Sequence, residues 1–356
     1  AIRSEIDGRS TSTHYEFLRW DDIVRKHWPT SLMVLWWRVI TTTLFNLRHG
    51  SLWRMYRLSW PPAMVAFMPF LLVIGVVLGA PAVAAAIVAM LSALSVATAP
   101  AWGAGLAVFA LAAWAARRLE AHYAMHWLTR SYAFTARHVR GQVPELEARL
   151  DEHARRLVAR VASAQDDEVL LVGHSSGANQ AASIMARALR LDPMLLKGKT
   201  RVSLLTLGQW LPLSGTPTIA HRFRDELREL ARAQGLEWID FSAPPDGCCF
   251  ALCNPFDAMG ITLPPKGQRL NFKCVNPRFA EMFSPEKYLA LKKDKLRLHF
   301  QYVSASDRAT DYDYFMICAG PLTLAQRFSQ AAGVENYSAL RGMAWLGMRT
   351  SRLRLP

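Results

Sequence analysis

The sequence has no Asp, Glu, Lys, Arg or His between Arg57 and Arg117. This uncharged stretch is too long for one ordinary helix and would be unusual in a water-soluble core. It also lies well inside the chain, unlike a signal peptide. A bilayer core needs roughly 20 apolar residues per helix. We therefore predict a transmembrane hairpin with crossings over residues 62–80 and 91–116. Pro81 and Pro100 are expected near turns or kinks. Three shorter crossings are the alternative.

Cysteine is scarce, and its number is odd. The five residues are Cys248, Cys249, Cys253, Cys274 and Cys318. Without evident pairing they fit a reducing cytoplasm better than a disulfide framework. Four of them could in principle hold zinc, but adjacent cysteines are not a usual ligand spacing. We expect buried free thiols and neither a metal nor an organic cofactor.

Acidic residues are outnumbered, and the net charge is +14. The sequence shows no zinc-finger, RNP or helix-turn-helix pattern that would favour nucleic acid as a partner. Arginines instead flank both ends of the uncharged stretch, as expected for cytoplasmic flanks near anionic headgroups. They are Arg38, Arg48, Arg54, Arg57, Arg117, Arg118 and Arg130. We expect a multi-pass protein of a bacterial inner membrane with its soluble part in the cytoplasm.

The regions around the apolar stretch contain weaker structural signals. Residues 14–20 alternate like a strand, and Asp21 or Asp22 could cap a following helix. Residues 31–60 resemble amphipathic helices on a membrane surface, and residues 125–134 could form a strand or extend the second crossing. The basic stretch 341–354 is expected to be a solvated terminal helix.

Strand and helix patterns alternate in the second half of the chain. Pro144 opens an amphipathic helix, and apolar strands are predicted over 168–172, 201–207 and 237–241. Helices over 178–191 and 219–234 lie between them, which indicates a mainly parallel sheet in an α/β fold. Two further strands, over 298–304 and 312–319, are predicted to form a hairpin.

The turn after the first of these strands reads Gly173-His174-Ser175-Ser176-Gly177. A serine hydroxyl is a weak nucleophile, so it needs an exposed position near a base and near backbone donors. A sharp strand-to-helix turn supplies that position, with glycines relieving crowding at both ends. The amide of Ser176 can point toward a developing oxyanion. The motif therefore predicts Ser175 as a nucleophile.

With this motif, residues 130–320 resemble the α/β-hydrolase superfamily, particularly lipases and esterases such as the class 3 lipases. The family order of serine, acid and histidine implies His299 as the base, because His221 precedes the expected acid. It implies Asp246, just beyond a strand, as the acid, with Asp257 as the alternative. Asp240 is expected inside the strand and poorly aimed.

The resemblance has a gap before the nucleophile. A full α/β-hydrolase has more strands there, and an early loop usually supplies its second oxyanion donor; the sequence contains no His-Gly-Gly motif. Either an N-terminal strand has been removed, or a loop around Trp20 to Asp22 substitutes.

The resulting expectation is an α/β-hydrolase-like domain with an inserted two-helix transmembrane hairpin. Its parts are an N-terminal region (1–60), the hairpin (61–117) and a catalytic domain (118–356). The expected activity is hydrolysis of membrane lipid or amphiphilic acyl esters through an acyl-enzyme. A thioesterase, amidase or acyltransferase with the same residues and a noncatalytic membrane scaffold are the alternatives.

Overall fold

The computed structural model describes residues 1–334, so the basic stretch 341–354 lies outside the described residues. The chain begins with an antiparallel pair of strands, β1 (Ile2–Ile6) and β2 (Arg9–Thr13). Asp7 and Gly8 connect them with positive φ angles, as a two-residue hairpin turn requires. The strand predicted over residues 14–20 is wrong, because those residues are irregular. Helix α1 (Asp21–Lys26) follows, with the two aspartates in its first turn and Trp20 at its N-cap.

Two amphipathic helices, α2 (Leu32–Arg48) and α3 (Ser51–Leu58), follow as predicted. Next comes one long helical segment made of α4 (Trp60–Ile74), a π-helical stretch (Gly75–Gly79) and α5 (Ala80–Ala93). The helix was predicted to end near Pro81, but it continues. The π-helical stretch immediately before Pro81 accounts for this, because local widening accommodates a residue that lacks an amide hydrogen.

Residues 94–97 connect α5 to α6 (Thr98–Tyr123). The segments Trp60–Ala93 and Thr98–Tyr123 are each long and apolar enough to cross a membrane, and only 11% of each apolar window is buried within the protein. The two pack closely: a Cβ on Gly105 would lie only 2.6 Å from Cγ2 of Val88. Residue 105 must therefore be small.

Ala124, with φ of 49°, separates α6 from α7 (Met125–Val139). The possible strand over 125–134 is therefore a helix. Beyond it, a four-stranded parallel sheet is interleaved with helices, which confirms a mixed α/β fold. Its elements are α8 (Pro144–Ala162), β3 (Glu168–His174), α9 (Ser176–Leu191), β4 (Arg201–Leu207), α10 (Leu211–Gly215), α11 (His221–Ala231), β5 (Glu237–Phe241), α12 (Pro255–Ala258) and β6 (Asn271–Val275).

The strands lie in the order β3-β4-β5-β6, so β3 is an edge strand of this sheet. Strands β3, β4 and β5 lie where the sequence predicts strands, whereas β6 was not predicted. After β6 the described chain is helical, with short 3-10 turns at Phe279–Glu281 and Gln301–Val303. The helices are α13 (Pro285–Lys293), α14 (Lys295–Phe300), α15 (Tyr314–Ala319) and α16 (Leu324–Arg327).

The two strands predicted over 298–304 and 312–319 are therefore wrong. Asp294 and Asp313 begin α14 and α15, where their side chains accept hydrogen bonds from Arg297 N and from Phe315 and Met316 N, respectively. Such caps satisfy amides that the first helical turn leaves without partners, so they favour helix over an alternating strand pattern.

Three apolar clusters hold these layers together. Trp238 and Leu204 belong to the cluster that includes α8, α9 and α11, whereas Phe241 and Tyr302 belong to a cluster with the C-terminal helices. The third cluster joins α3, α4 and α7 to the loops that follow β4 and β5; its buried members are Met55, Ala63, Tyr132, Trp210, Leu213, Phe250 and Cys253. This cluster places the helices of the N-terminal half against the carboxyl end of the sheet.

Candidate active site

Ser175 occupies a strained turn at the end of the edge strand. It stands between β3 and α9 with φ 55° and ψ −122°, a conformation that non-glycine residues rarely adopt. Its amide donates a 2.8 Å hydrogen bond to the carbonyl of Leu207 on the neighbouring strand. The turn is thereby fixed to the sheet.

The two glycines of the motif differ in what they do. A Cβ on Gly173 would lie 2.5 Å from the carbonyl oxygen of Gly177 and 2.7 Å from Cα of Ala178, so any side chain there would displace backbone. A Cβ on Gly177 would meet nothing within 4 Å. The expectation that both glycines relieve crowding therefore holds only for Gly173.

The three residues expected to act together form a hydrogen-bonded chain. Nε2 of His299 lies 2.8 Å from Oγ of Ser175, and Nδ1 of the same ring lies 2.8 Å from Oδ2 of Asp246. His299 is 2% exposed and Asp246 is 1% exposed, so the contact between the histidine and the acid is shielded from water, whereas Ser175 is half-buried. The histidine lies in α14, not in or beside a strand as expected.

The carboxylate of Asp246 is held by donors on each oxygen. Oδ1 accepts from the amide of Cys248 at 2.8 Å, and Oδ2 accepts from the hydroxyl of Tyr302 at 3.1 Å as well as from His299. Burial favours a raised pKa, but the charge and hydrogen bond of His299 and the Cys248 amide outweigh it, and the pKa of Asp246 is lowered. The acid is therefore kept charged beside the histidine.

The other acids and the other histidine considered from the sequence lie elsewhere. Asp257 is exposed on α12, and His221 is exposed at the start of α11. Asp240 is buried within β5, where it accepts hydrogen bonds from Thr206 and Ser242. Burial raises the pKa of Asp240 to about 7, against the smaller effect of those two donors.

His174, which precedes Ser175, contacts His299 through its backbone. Its Nε2 donates a 2.9 Å hydrogen bond to the backbone carbonyl of His299. Burial, with a smaller contribution from His299, lowers the pKa of His174 to about 4. At neutral pH His174 is therefore an uncharged ring that is hydrogen-bonded to the backbone of His299.

A cavity of about 180 Å³ opens over Ser175 and His299. Its wall is mostly apolar and combines α4, α6 and α7 with the loops after β4 and β5. The lining includes Val65, Met68, Tyr123, Leu128, Tyr132, Trp210, Leu213 and Leu296. Ser176, expected to provide an oxyanion donor, also lines it. The side chains of the two long apolar helices thus share one cavity with the hydrogen-bonded chain.

Tyr132 is a candidate site residue that the sequence analysis missed. It is 7% exposed, packs against Trp210 at 5.3 Å between ring centroids, and has a hydroxyl with no hydrogen-bond partner among the described residues. An unpaired buried hydroxyl is costly unless another molecule satisfies it. No local sequence signal marks Tyr132, because the helix that carries it is distant in sequence from Ser175.

The loop around Trp20 to Asp22, considered as a source of the second oxyanion donor, does not line this cavity. Trp20 packs against Phe134, and Asp22 forms an ion pair with Arg149. Within residues 1–334, the sheet has no strand on the outer side of β3. A loop from such a strand therefore does not flank Ser175 in the described part of the chain.

Among the five cysteines, Cys249, Cys253 and Cys274 are buried, and Cys248 and Cys318 are half-buried. Over residues 1–334, no group of three or more His, Cys, Asp or Glu side chains has an arrangement that could hold a metal ion. Comparisons of the sequence with protein-family models, with curated proteins and with solved structures found no match. The site must therefore be interpreted from its own chemistry.

Proposed function

We propose that this protein is a membrane-anchored serine hydrolase of the α/β-hydrolase type that cleaves acyl esters of lipids or lipid-like molecules. The observation that carries the proposal is the chain from Ser175 through His299 to Asp246, with both contacts at 2.8 Å. A base within hydrogen-bonding reach of a nucleophile, oriented by a buried acid, is the arrangement that activates a serine hydroxyl.

In the proposed reaction, Oγ of Ser175 attacks the ester carbonyl while Nε2 of His299 takes the hydroxyl proton. His299 then gives that proton to the departing alcohol, which leaves an acyl group on Ser175. Water, deprotonated by the same nitrogen, attacks the acyl-enzyme and releases the carboxylic acid. Asp246 holds the imidazole in place and stabilises its charged form throughout.

The negative oxygen of the tetrahedral intermediate needs donors placed in advance. The amide of Ser176 lies in the first turn of α9, where amides have no partner within the helix. We assign the second donation to the Tyr132 hydroxyl, which is buried in the lining of the same cavity. Tyr132 thus replaces the early loop that supplies this donor in the resembled family.

The apolar cavity wall supports a substrate with an acyl chain. Val65 and Met68 come from α4, and Tyr123 comes from the end of α6, so the wall is built partly from the helices that we propose to form a transmembrane hairpin. A chain entering from the bilayer would remain in apolar surroundings up to the ester carbonyl. This arrangement favours long-chain over short-chain esters.

Fluorophosphonate labelling of the detergent-solubilised protein tests the proposal. We expect labelling of the wild type and its loss in Ser175→Ala and His299→Ala. Ser176→Ala is the matched control, because it keeps the backbone amide and should keep labelling. An unlabelled wild-type protein, or equal labelling of Ser175→Ala, would contradict the assignment and favour a noncatalytic scaffold.

Substrate profiling separates the proposed esterase from a thioesterase, an amidase or an acyltransferase. We expect faster hydrolysis of a long-chain ester than of the acetate ester of the same alcohol. Retention in the membrane pellet after alkaline carbonate extraction tests the anchor. Release into the supernatant would refute the transmembrane hairpin without bearing on the active serine.

A further inference from the structure

A second cavity of about 260 Å³ lies beside the first. It is bounded by the end of α7, by one face of α9 and by the start of α11. Its lining mixes polar and apolar side chains, whereas that of the first cavity is mostly apolar. The polar side chains used below are His138, Arg140, Asn179, Gln180, Ser214 and Arg222. Nothing in the proposed ester cleavage uses this cavity.

Two buried amide side chains in its lining have unused acceptors. Oδ1 of Asn179 and Oε1 of Gln180 have no hydrogen-bond partner among the described residues, although the two residues are only 5% and 8% exposed. The amide nitrogen of Asn179 is already committed to Ser214 at 2.6 Å. Buried acceptors of this kind are normally satisfied, so they point to a ligand with hydroxyl or other N–H or O–H donors.

The titratable side chains of the lining are all basic. His138, Arg140 and Arg222 line the cavity, and no acidic side chain does so within the described part of the chain. Two of them already contact Glu147, Arg222 at 2.6 Å and His138 through its Nε2. Only Arg140 is then left to attract an anionic group of a ligand.

Arg140 is the basic lining residue that has no carboxylate partner in residues 1–334. Its guanidinium stacks on Phe45 at 4.3 Å, and no ion pair joins it to a carboxylate in residues 1–334. Burial, followed by the neighbouring charges of Arg38 and Arg137, lowers the pKa of Arg140. An oxyanion would relieve this repulsion, and a planar guanidinium suits phosphate oxygens.

Asn179 links this cavity to the proposed active site, because it lines both. It lies four positions after Ser175, about one turn along α9. An ester bound with its carbonyl at Ser175 can therefore have its acyl chain in the apolar cavity and its alcohol portion past Asn179. Anionic phospholipids with a polyol headgroup contain an acyl chain, an ester, hydroxyl groups and a phosphate in one molecule.

We propose that the second cavity binds the phosphorylated, hydroxyl-bearing headgroup of the ester substrate. This proposal rests on the proposed hydrolase function. Arg140 contacts the phosphate, while Asn179 and Gln180 accept hydrogen bonds from hydroxyl groups. The preferred substrates are thus acyl esters of a phosphorylated polyol, such as lysophosphatidylglycerol.

The test uses the full chain in detergent with two substrates of the same acyl length, lysophosphatidylglycerol and a p-nitrophenyl ester that lacks a headgroup. Arg140→Gln should lower kcat/KM for the phospholipid by about ten- to a hundred-fold, as expected for a lost charged hydrogen bond, and leave the p-nitrophenyl ester unaffected. Gln180→Leu should lower the phospholipid value by about ten-fold. Arg155→Gln is the matched control, since Arg155 is exposed on α8 and lines neither cavity.

Fluorophosphonate labelling of each variant reports folding and the active serine independently of the headgroup. With labelling intact, equal effects of Arg140→Gln on both substrates, or no effect on either, would overturn the headgroup site. Calorimetry with glycerol 3-phosphate distinguishes a lipid headgroup from a free phosphate ester as the ligand of this cavity. Binding that depends on Arg140, without any phospholipid selectivity, would overturn the link to the substrate and indicate a site for a free phosphate ester.

If the wild type is not labelled, the hydrolase proposal fails on its own. In that case calorimetry still tests the cavity, because glycerol 3-phosphate binding needs no active serine. Absence of Arg140-dependent binding would then remove the second cavity as a phosphate site too. The two failures are thus distinguishable.

Discussion

Replacing Tyr302 by Phe removes one hydroxyl that serves both stability and the proposed acid. The hydroxyl donates to Oδ2 of Asp246 at 3.1 Å and accepts from the amide of Ala243 at 2.7 Å. Tyr302 is fully buried, so water cannot replace either bond without entering the core. Phenylalanine keeps the ring contacts with Phe279 but leaves the Ala243 amide without this partner.

The structure sets the size of both effects. A buried donor left unpaired costs about 1–3 kcal/mol, so we expect the free energy of unfolding to fall by about 2 kcal/mol. Asp246 also loses one of its three hydrogen bonds, which raises its pKa and weakens its support of His299. A loss of about 1.4 kcal/mol in the transition state corresponds to a ten-fold fall in kcat.

Tyr312→Phe is the matched control for this variant. Tyr312 is also buried, and its hydroxyl donates to the backbone carbonyl of Tyr302 without touching Asp246. Denaturant titration in detergent should show both variants destabilised, whereas ester hydrolysis and the labelling rate should fall only in Tyr302→Phe. Equal rates for the two variants would refute the reasoning that the hydroxyl acts through Asp246.

Three further predictions concern single side chains. Tyr132→Phe should reduce kcat by about a hundred-fold with little change in KM, because it removes the oxyanion donor that we propose. Tyr123→Phe, in the same cavity, should leave kcat unchanged. Equal kinetics for the two variants would exclude Tyr132 as a donor. Asp246→Asn should abolish labelling, whereas Asp240→Asn should retain it. Asp240→Asn should also be more stable than the wild type above pH 7, because the raised pKa of Asp240 shows that its charged form is unfavourable in the fold. The pKa of His174 is lowered in the fold, so the unfolded chain takes up a proton on this histidine first as the pH drops. The free energy of unfolding should therefore fall between about pH 6.5 and about pH 4, by up to about 3 kcal/mol. Unfolding titrations of His174→Gln should show a flatter dependence on pH, and an unchanged slope would contradict this reasoning.

Local signals were sufficient for the parts of the fold that surround Ser175. The strands Arg201–Leu207 and Glu237–Phe241 lie where their apolar runs predict them. The first hairpin was not predicted, although the sequence contains a signal for it. Asp7-Gly8 is a favoured two-residue turn, and it lies between two alternating segments. At α14 the alternation of apolar residues predicts a strand, whereas the capping residue Asp294 favours a helix. The structure has the helix.

The remaining site features depend on contacts between distant parts of the chain. Tyr302 contacts Asp246 although the two residues are 56 positions apart in the sequence. Tyr132 lines the cavity from α7, the helix that follows the apolar segments in the sequence. Neither residue has a local motif, since each acts through tertiary packing. The second cavity is a similar case, because its walls come largely from three helices that only the fold brings together.

Two independent costs meet at Ser175, and together they favour a functional explanation. Its positive φ is strained for a serine, and such strain persists where the surrounding structure enforces it, often at active sites. A noncatalytic turn would be relieved by glycine at that position. Beside it, His299 and Asp246 are buried polar groups whose removal from water is offset only by the hydrogen bonds they make. A merely structural turn requires neither the strain nor a histidine in contact with serine and acid at once, whereas a serine nucleophile on a sharp strand-to-helix turn would account for both.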